Sequence, residues 1–330
     1  MAFNIADFPE AAEAPLWLTH NSAWVDHIPM ACVLMRMLKP RVFVELGTFR
    51  GDSYMAFCQT AVRLSPHPRC FAVDNWVGDP HAGFYGPHIL AELRAFHDPT
   101  YGHFSTLIQK DFTAAISDFA DDSIDLLHID GHHTYEAVKQ DFLTWLPKLT
   151  SRAVVLFHDT QIRDRDFGVW QLWRELAAEY PSFEVPYGCG LGILAVGTEQ
   201  PAAFLELLAE LNAAPERTLA PFKAYAARID MLRTCMALTN DLHHAQSMIN
   251  EWRKVLGQPI TQNTPDLAGA WQNPRRFSAG VLTDTRQLVA DAARMLSTLV
   301  QKELSVTQNQ IGVVQQTVDK LKMAGASKVG

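Results

Sequence analysis

Apolar and polar positions alternate along this chain in two different rhythms. Residues 23–38 place Val25, Ile28, Met30, Val33, Leu34 and Met37 at helical spacing and run up to Pro40, where a helix must stop. A continuous apolar run follows at 42–46, and a second helical pattern at 54–64. Short apolar runs recur at 70–74, 106–108, 124–129 and 153–157, with helical stretches between them at 88–97, 112–119 and 135–148. Strands that are apolar throughout, alternating with helices, predict a parallel sheet covered on both faces. In such a sheet ligands sit beyond the carboxyl ends of the strands. Glu45, Asp74, Asp111, Asp130, His158 and Asp159 crowd those ends.

A final strand or hairpin at 183–196, with Gly188, Gly190 and Gly192, would complete the sheet. From about residue 199 the strand-like runs vanish, and Pro259, Pro265 and Pro274 separate two helical stretches near 218–256 and 281–323. The last of these sets Leu304, Ile311 and Val318 against Thr307, Val314 and Leu321 in a heptad pattern, too short to separate a bundle helix from a coiled coil. The expected organisation is an α/β domain over 1–198 and a helical extension over 199–330, with self-association or partner docking as the extension's use.

Composition narrows the class. The chain has 330 residues, 48% of them hydrophobic, enough for a sizeable core. A formal net charge of −8 without a basic patch argues against a nucleic-acid partner. No run of 18 apolar residues occurs, and the first ten residues lack the charge and apolar pattern of a secretory signal, so no membrane span and a cytoplasmic location are expected. The five cysteines (Cys32, Cys58, Cys70, Cys189, Cys235) show no CxxC pair or metal-ligand spacing and read as free, packed thiols.

The richest segment is 42–53, Val-Phe-Val-Glu-Leu-Gly-Thr-Phe-Arg-Gly-Asp-Ser, an apolar strand entering a glycine turn. Gly47 and Gly51 stand where a backbone must bend sharply or lie close against another group. The spacing is not G-x-G-x-x-G, so a dinucleotide cradle fits poorly. Asp74 lies 23 residues past Gly51, near the offset of about 20 at which an acidic residue meets a ribose; the alternative is an Asp opening a turn. Asp111 either meets a nucleobase or caps the following helix.

A second cluster reads His128-Ile-Asp130-Gly-His132-His133-Thr-Tyr135-Glu136, with Phe157-His158-Asp159-Thr160 at the next strand end. Two carboxylates and an imidazole at neighbouring strand ends suit a divalent cation, while the alternative has Asp130 and Asp159 merely ending strands and capping helices. His128, inside an apolar strand, reads as a core histidine.

Glu45-x-Gly47-x-x-x-Gly51-x-Ser53 resembles the first motif of class I S-adenosylmethionine (SAM) methyltransferases, catechol O-methyltransferase included. Ile-Asp-Gly-x-His-x-Tyr-Glu-x-x-x-x-Asp at 129–141, together with Phe-His-Asp-Thr at 157–160, resembles the methyltransferase 24 family and the related macrolide-sugar O-methyltransferases and cephalosporin-hydroxylase-like proteins. The resemblance covers about residues 40–197. It implies a Rossmann-like, mostly parallel sheet whose last strand is antiparallel. It implies SAM held by Glu45, Gly47, Thr48, Gly51, Ser53, Asp74, Asn75, Asp111 and His132. It also implies magnesium or manganese held by Asp130, His158 and Asp159, with His133 as general base beside Asp130. His158 departs from the pattern, since relatives often carry a carboxylate there. The implied reaction is methylation of a hydroxyl on a sugar, glycan or other natural product. Rival readings are a hydroxylase-like enzyme and a non-catalytic scaffold for a glycosyltransferase; a homo-oligomer is expected.

A cation would matter for an aliphatic hydroxyl. Histidine near pKa 6.5 falls roughly 9 units short of removing such a proton, on the order of 12 kcal/mol. Two irregular segments flank the expected cleft. Residues 76–86, rich in glycine and aromatics, read as an acceptor lid or a plain loop, and residues 161–173, with Arg163, Arg165, Trp170 and Trp173, as the opposite wall or a plain loop.

Overall fold

The computed structural model describes residues 3–19 and 22–255. The sequence's heptad stretch at 281–323 lies outside them. Among the described residues there are nine strands: β1 (Val42–Leu46), β2 (Arg69–Asp74), β3 (Gly78–Asp79), β4 (Gly83–Phe84), β5 (Ser105–Gln109), β6 (Ile124–Ile129), β7 (Leu149–His158), β8 (Ser182–Val185) and β9 (Leu191–Ala195). The α-helices are α1 (Ile28–Leu38), α2 (Asp52–Ala61), α3 (His88–Tyr101), α4 (Phe112–Ala115), α5 (Tyr135–Trp145), α6 (Val169–Ala177), α7 (Ala202–Ala213) and α8 (Pro215–Val255).

Seven strands form one sheet in the order β5-β2-β1-β6-β7-β9-β8. All neighbours from β5 to β7 pair in parallel, and β9 runs antiparallel between β7 and β8. This is the Rossmann-like methyltransferase arrangement that the motifs imply. Strand alternation divides the core in two. Val42, Val44 and Leu46 point into a layer with Phe142, Trp145 and Leu172, whereas Phe43 joins Phe57, Leu34 and Leu126 on the other face. Side chains that alternate along a strand and are buried on both faces need helices on both sides.

Local chemistry sets the element ends. Pro29 occupies the first turn of α1, where a missing N–H costs nothing, and Lys39 closes the helix in the left-handed region before Pro40. Thr134 caps α5 by accepting a hydrogen bond from the Ala137 amide. The sequence reading of 112–119 as one helix is corrected: α4 stops at Ala115 and a 3-10 turn carries the chain to Asp118.

The composition break near residue 199 marks where strands end, but the compact unit runs from Met1 to Arg233, with Thr234–Gly330 as a second unit. Phe204, Leu207 and Leu211 of α7 and Leu219, Phe222 and Ile229 of α8 are buried in the same core as α1. Among the described residues no helix is long and apolar enough to cross a membrane.

Candidate active site

The glycine turn brings three parts of the chain into contact beyond the carboxyl ends of β1, β2 and β6. Gly47 takes φ +86°, donates its amide to Val73, and passes so close to β6 that a Cβ would lie 2.0 Å from the Asp130 carbonyl oxygen. Glycine is required there by both conformation and space. Gly51, at φ +82°, packs instead on Leu93 of α3. Asp74, at the end of β2, holds the turn from the other side. Its Oδ2 accepts the Thr48 and Phe49 amides at 2.9 and 2.8 Å, and its Oδ1 accepts the Trp76 amide at 2.6 Å. A carboxylate has about four acceptor positions, so one stays free. Next to it, the Asn75 side-chain amide donates to Asp111 at 2.9 Å. Asp111 is the N-cap of α4 by position but makes no side-chain cap hydrogen bond.

These residues border a cavity of about 290 Å³ that Gly47, Asp74, Asn75, Asp111, Asp130, His132 and His133 all line. Glu45, Thr48, Gly51 and Ser53 are not on its wall. Glu45 is wholly buried on the opposite side of β1, hydrogen-bonded at 2.8 Å to Nδ1 of His128, its neighbour in register on β6. The structure therefore does not bring Glu45 to the cavity that the other residues line, and His128 is buried inside its strand as expected.

Asp130, His133, His158 and Asp159 do meet. His133 Nε2 lies 2.8 Å from Asp159 and 3.6 Å from Asp130; His158 Nδ1 lies 3.2 Å from Asp130 and 3.4 Å from Asp159. Two carboxylates thus face two imidazoles, all mostly buried. Burial opposes every charge in the cluster, yet the mutual attraction outweighs it. Asp130 and Asp159 are held below the usual carboxylate range, His158 is raised, and His133 is raised to about 9 by Asp130 and Asp159. Asp159 sits at φ +62°, a left-handed position rarely taken by a non-glycine residue and often kept where function needs it. Ligand atoms of Asp130, His133 and Asp159 lie within 4.8 Å of one another, as do those of His158, Asp159 and Cys189. His133 is therefore placed as a potential ligand as well as a potential base.

The two irregular segments close over this cluster. His81 is 2.7 Å from Asp166 and stacks on Phe167 at 4.3 Å; Phe167 in turn stacks on His133 at 4.8 Å and 8°. Arg165 donates to the Pro80 carbonyl at 3.3 Å. Trp173, read as part of the wall, is instead buried in the core against Gly192. Trp170 stays near the surface under the Arg163 guanidinium at 4.7 Å.

Several wall residues had no role of their own in the sequence reading: Phe49, Phe112, Gln140 and the motif residue Asp141, with Tyr85 from the 76–86 segment. Asp141 is the notable one, since burial pushes its carboxyl up to about 7. A carboxyl raised in the folded state contributes stability that is complete below about pH 4, its unfolded value, and is lost as pH rises through about 7. The loss is bounded by about 4 kcal/mol. Asp141→Asn is therefore expected to flatten the fall in stability between pH 4 and 7. Denaturant midpoints of both proteins across that range test this, and parallel profiles would refute it.

Residues 44–160 match the model of the methyltransferase 24 family, described as a methyltransferase domain. This part of the chain is similar to methyltransferase domains. The chain is also 51% identical over 185 residues to an uncharacterized protein, y4gI, from Sinorhizobium fredii, a match covering 56% of this chain and 20% of that protein. It thus spans about a fifth of the length of the curated relative it matches. Among solved structures it is similar to a TDP-rhamnose 3'-O-methyltransferase of calicheamicin biosynthesis, at 20% identity over 52% of this chain and 78% of that one, with a TM-score of 0.40. It is also similar to the SAH-bound Podospora anserina methyltransferase PaMTH1, at 15% identity over 51% and 76%, with a TM-score of 0.39.

Proposed function

We propose that the protein transfers the methyl group of SAM to a hydroxyl of a sugar, glycan or other natural product, with a divalent cation assisting. One observation carries this reading: the glycine turn with Asp74, Asn75 and Asp111, and the carboxylate–histidine cluster of Asp130 and His133, line the same cavity. A nucleoside held at the first set would lie beside an acceptor held at the second.

The residues fit SAM. The free acceptor position on Asp74 suits a ribose hydroxyl, the Asn75–Asp111 pair offers a polar edge, and Phe112 and Phe49 offer flat apolar faces for a base. They fit a cation as well, since oxygen and imidazole donors converge within 4.8 Å around two carboxylates that stay ionised. A cation bound there would supply Lewis acidity, lowering the pKa of an acceptor hydroxyl. Without it, the positive charge facing Asp130 and Asp159 comes from protons on His133 and His158, and a protonated His133 is no base. Asp130 and Asp159 hold His133 through Nε2, and with charge on the carboxylates neutralised otherwise, the ring, which lines the cavity, can take the hydroxyl proton on Nδ1, which has no hydrogen-bond partner. Phe167 and His81 stack over His133 and shield it from water. In-line transfer demands that both substrates be held in register, so positioning supplies much of the rate.

Calorimetry with SAM and its demethylated product tests the first half; measurable binding of both is expected, and absence of either would refute it. Formation of the demethylated product in the presence of nucleotide-sugar acceptors tests the second.

A further inference from the structure

Cys189 occupies the tight turn between β8 and β9, flanked by Gly188 at φ +60° and Gly190 at φ +89°. The turn is pressed onto the residues that follow β7. The Gln161 amide donates to the Cys189 carbonyl at 3.0 Å, and a Cβ on Gly190 would lie 2.6 Å from both the Gln161 nitrogen and the Thr160 hydroxyl oxygen. Glycine on both sides lets the loop approach this closely. The approach brings the half-buried Cys189 thiol, a His158 ring nitrogen and an Asp159 oxygen within 4.8 Å of one another. The thiol is free. His158 is almost fully buried, and its Nε2 has no hydrogen-bond partner, so the ring keeps a spare donor while Nδ1 serves the carboxylates. Donor atoms around a tetrahedral ion lie roughly 3.3–3.8 Å apart, a contraction of about 1 Å from the present spacing.

A hard ion such as magnesium takes oxygen donors in octahedral geometry and gains nothing from a thiolate. Thiolate, imidazole and carboxylate together suit a borderline ion of the zinc, cobalt(II) and iron(II) class. The histidine at 158, where the resemblance leads one to expect a carboxylate, shifts the donor set the same way. We propose that Cys189 is a ligand of the metal centre, with His158 and Asp159, and that this centre selects a borderline transition ion over magnesium. On binding, the thiol gives up its proton to solvent and the sulfur coordinates as thiolate. The inference rests on the reading that Asp159 belongs to a cation site, and it adds the identity of the ion.

The test uses the full chain, freed of metal and without a histidine tag, loaded with cobalt(II). A thiolate-to-cobalt charge-transfer band in the near ultraviolet is expected, and Cys189→Ser should abolish it while the weaker ligand-field bands persist. In competition, zinc should displace cobalt far more effectively than magnesium does, and Cys189→Ser should narrow that preference by roughly tenfold or more. Retained SAM affinity in Cys189→Ser shows that the variant is folded. If cobalt binds without the charge-transfer band, or Cys189→Ser leaves band and preference unchanged, the thiolate ligand is overturned while the cation site stands. If no divalent ion binds the protein at all, both readings fall.

Discussion

His133→Ala is expected to lower kcat by roughly 10²- to 10⁴-fold, the range for loss of a positioned general base. Affinity for SAM should change little, because the Asp74–Asn75–Asp111 side of the cavity is built from other residues. The geometry gives the prediction its particular form. His133 lies 2.8 Å from Asp159 and is held at about 9, so the carboxylates keep its proton on until something else balances their charge. Chelation should therefore reduce the native enzyme to about the level of His133→Ala, and chelating the variant should add little further loss. Asp159→Asn should raise the metal concentration needed for half-maximal turnover, since it removes one of the two charges. Steady-state kinetics with and without chelator, at saturating SAM, distinguish these outcomes. Full turnover in excess chelator, with no metal recovered from the purified protein, would remove the cation from the mechanism.

The parts of this site that depend on strand order were legible in the chain, and those that depend on which way a side chain turns were not. Asp74, Asp130 and Asp159 end apolar runs, so a parallel sheet carries them to one rim wherever its helices pack. Glu45 sits in the same motif as Gly47, but strand alternation sends it with Phe43 to the far face, where His128 meets it in register. Counting in twos from Val44 and Leu46 would have shown this. Asp141 was visible as a motif residue, yet its burial against the cavity depends on how α5 lies over Gly131 and Phe112. Cys189 is separated by about 30 residues from its neighbours His158 and Asp159, and no spacing rule covers a hairpin that folds back on the preceding strand. The meeting of residues 76–86 with 161–168 is of the same kind, since His81, Asp166 and Phe167 are irregular-loop residues whose pairing no periodicity encodes.

Replacing Asp74 by alanine should damage both the fold and the cofactor site, and the two losses can be measured apart. The carboxylate accepts the amides of Thr48, Phe49 and Trp76, and Phe49 and Trp76 both hold positive φ, at 48° and 54°. Left-handed backbone at such residues costs about 1–3 kcal/mol each and persists only where surrounding bonds enforce it. Alanine would leave three amides without their acceptor in a largely buried place, at about 1–3 kcal/mol for each that water cannot reach. A clear fall in melting temperature is thus expected even without ligand. For SAM, the loss of one charge-assisted hydrogen bond corresponds to about 1.5–3 kcal/mol, roughly 10- to 150-fold in Kd, and a relaxed glycine turn would add to it. Asp74→Asn keeps one oxygen for Thr48 and Phe49 but turns an NH₂ group towards the Trp76 amide, so it should recover part of the stability and less of the affinity. Thermal melts and calorimetric titrations of both variants settle the ordering. If Asp74→Ala melts lower yet binds SAM as tightly as the native protein, Asp74 braces the turn and has no contact with the cofactor.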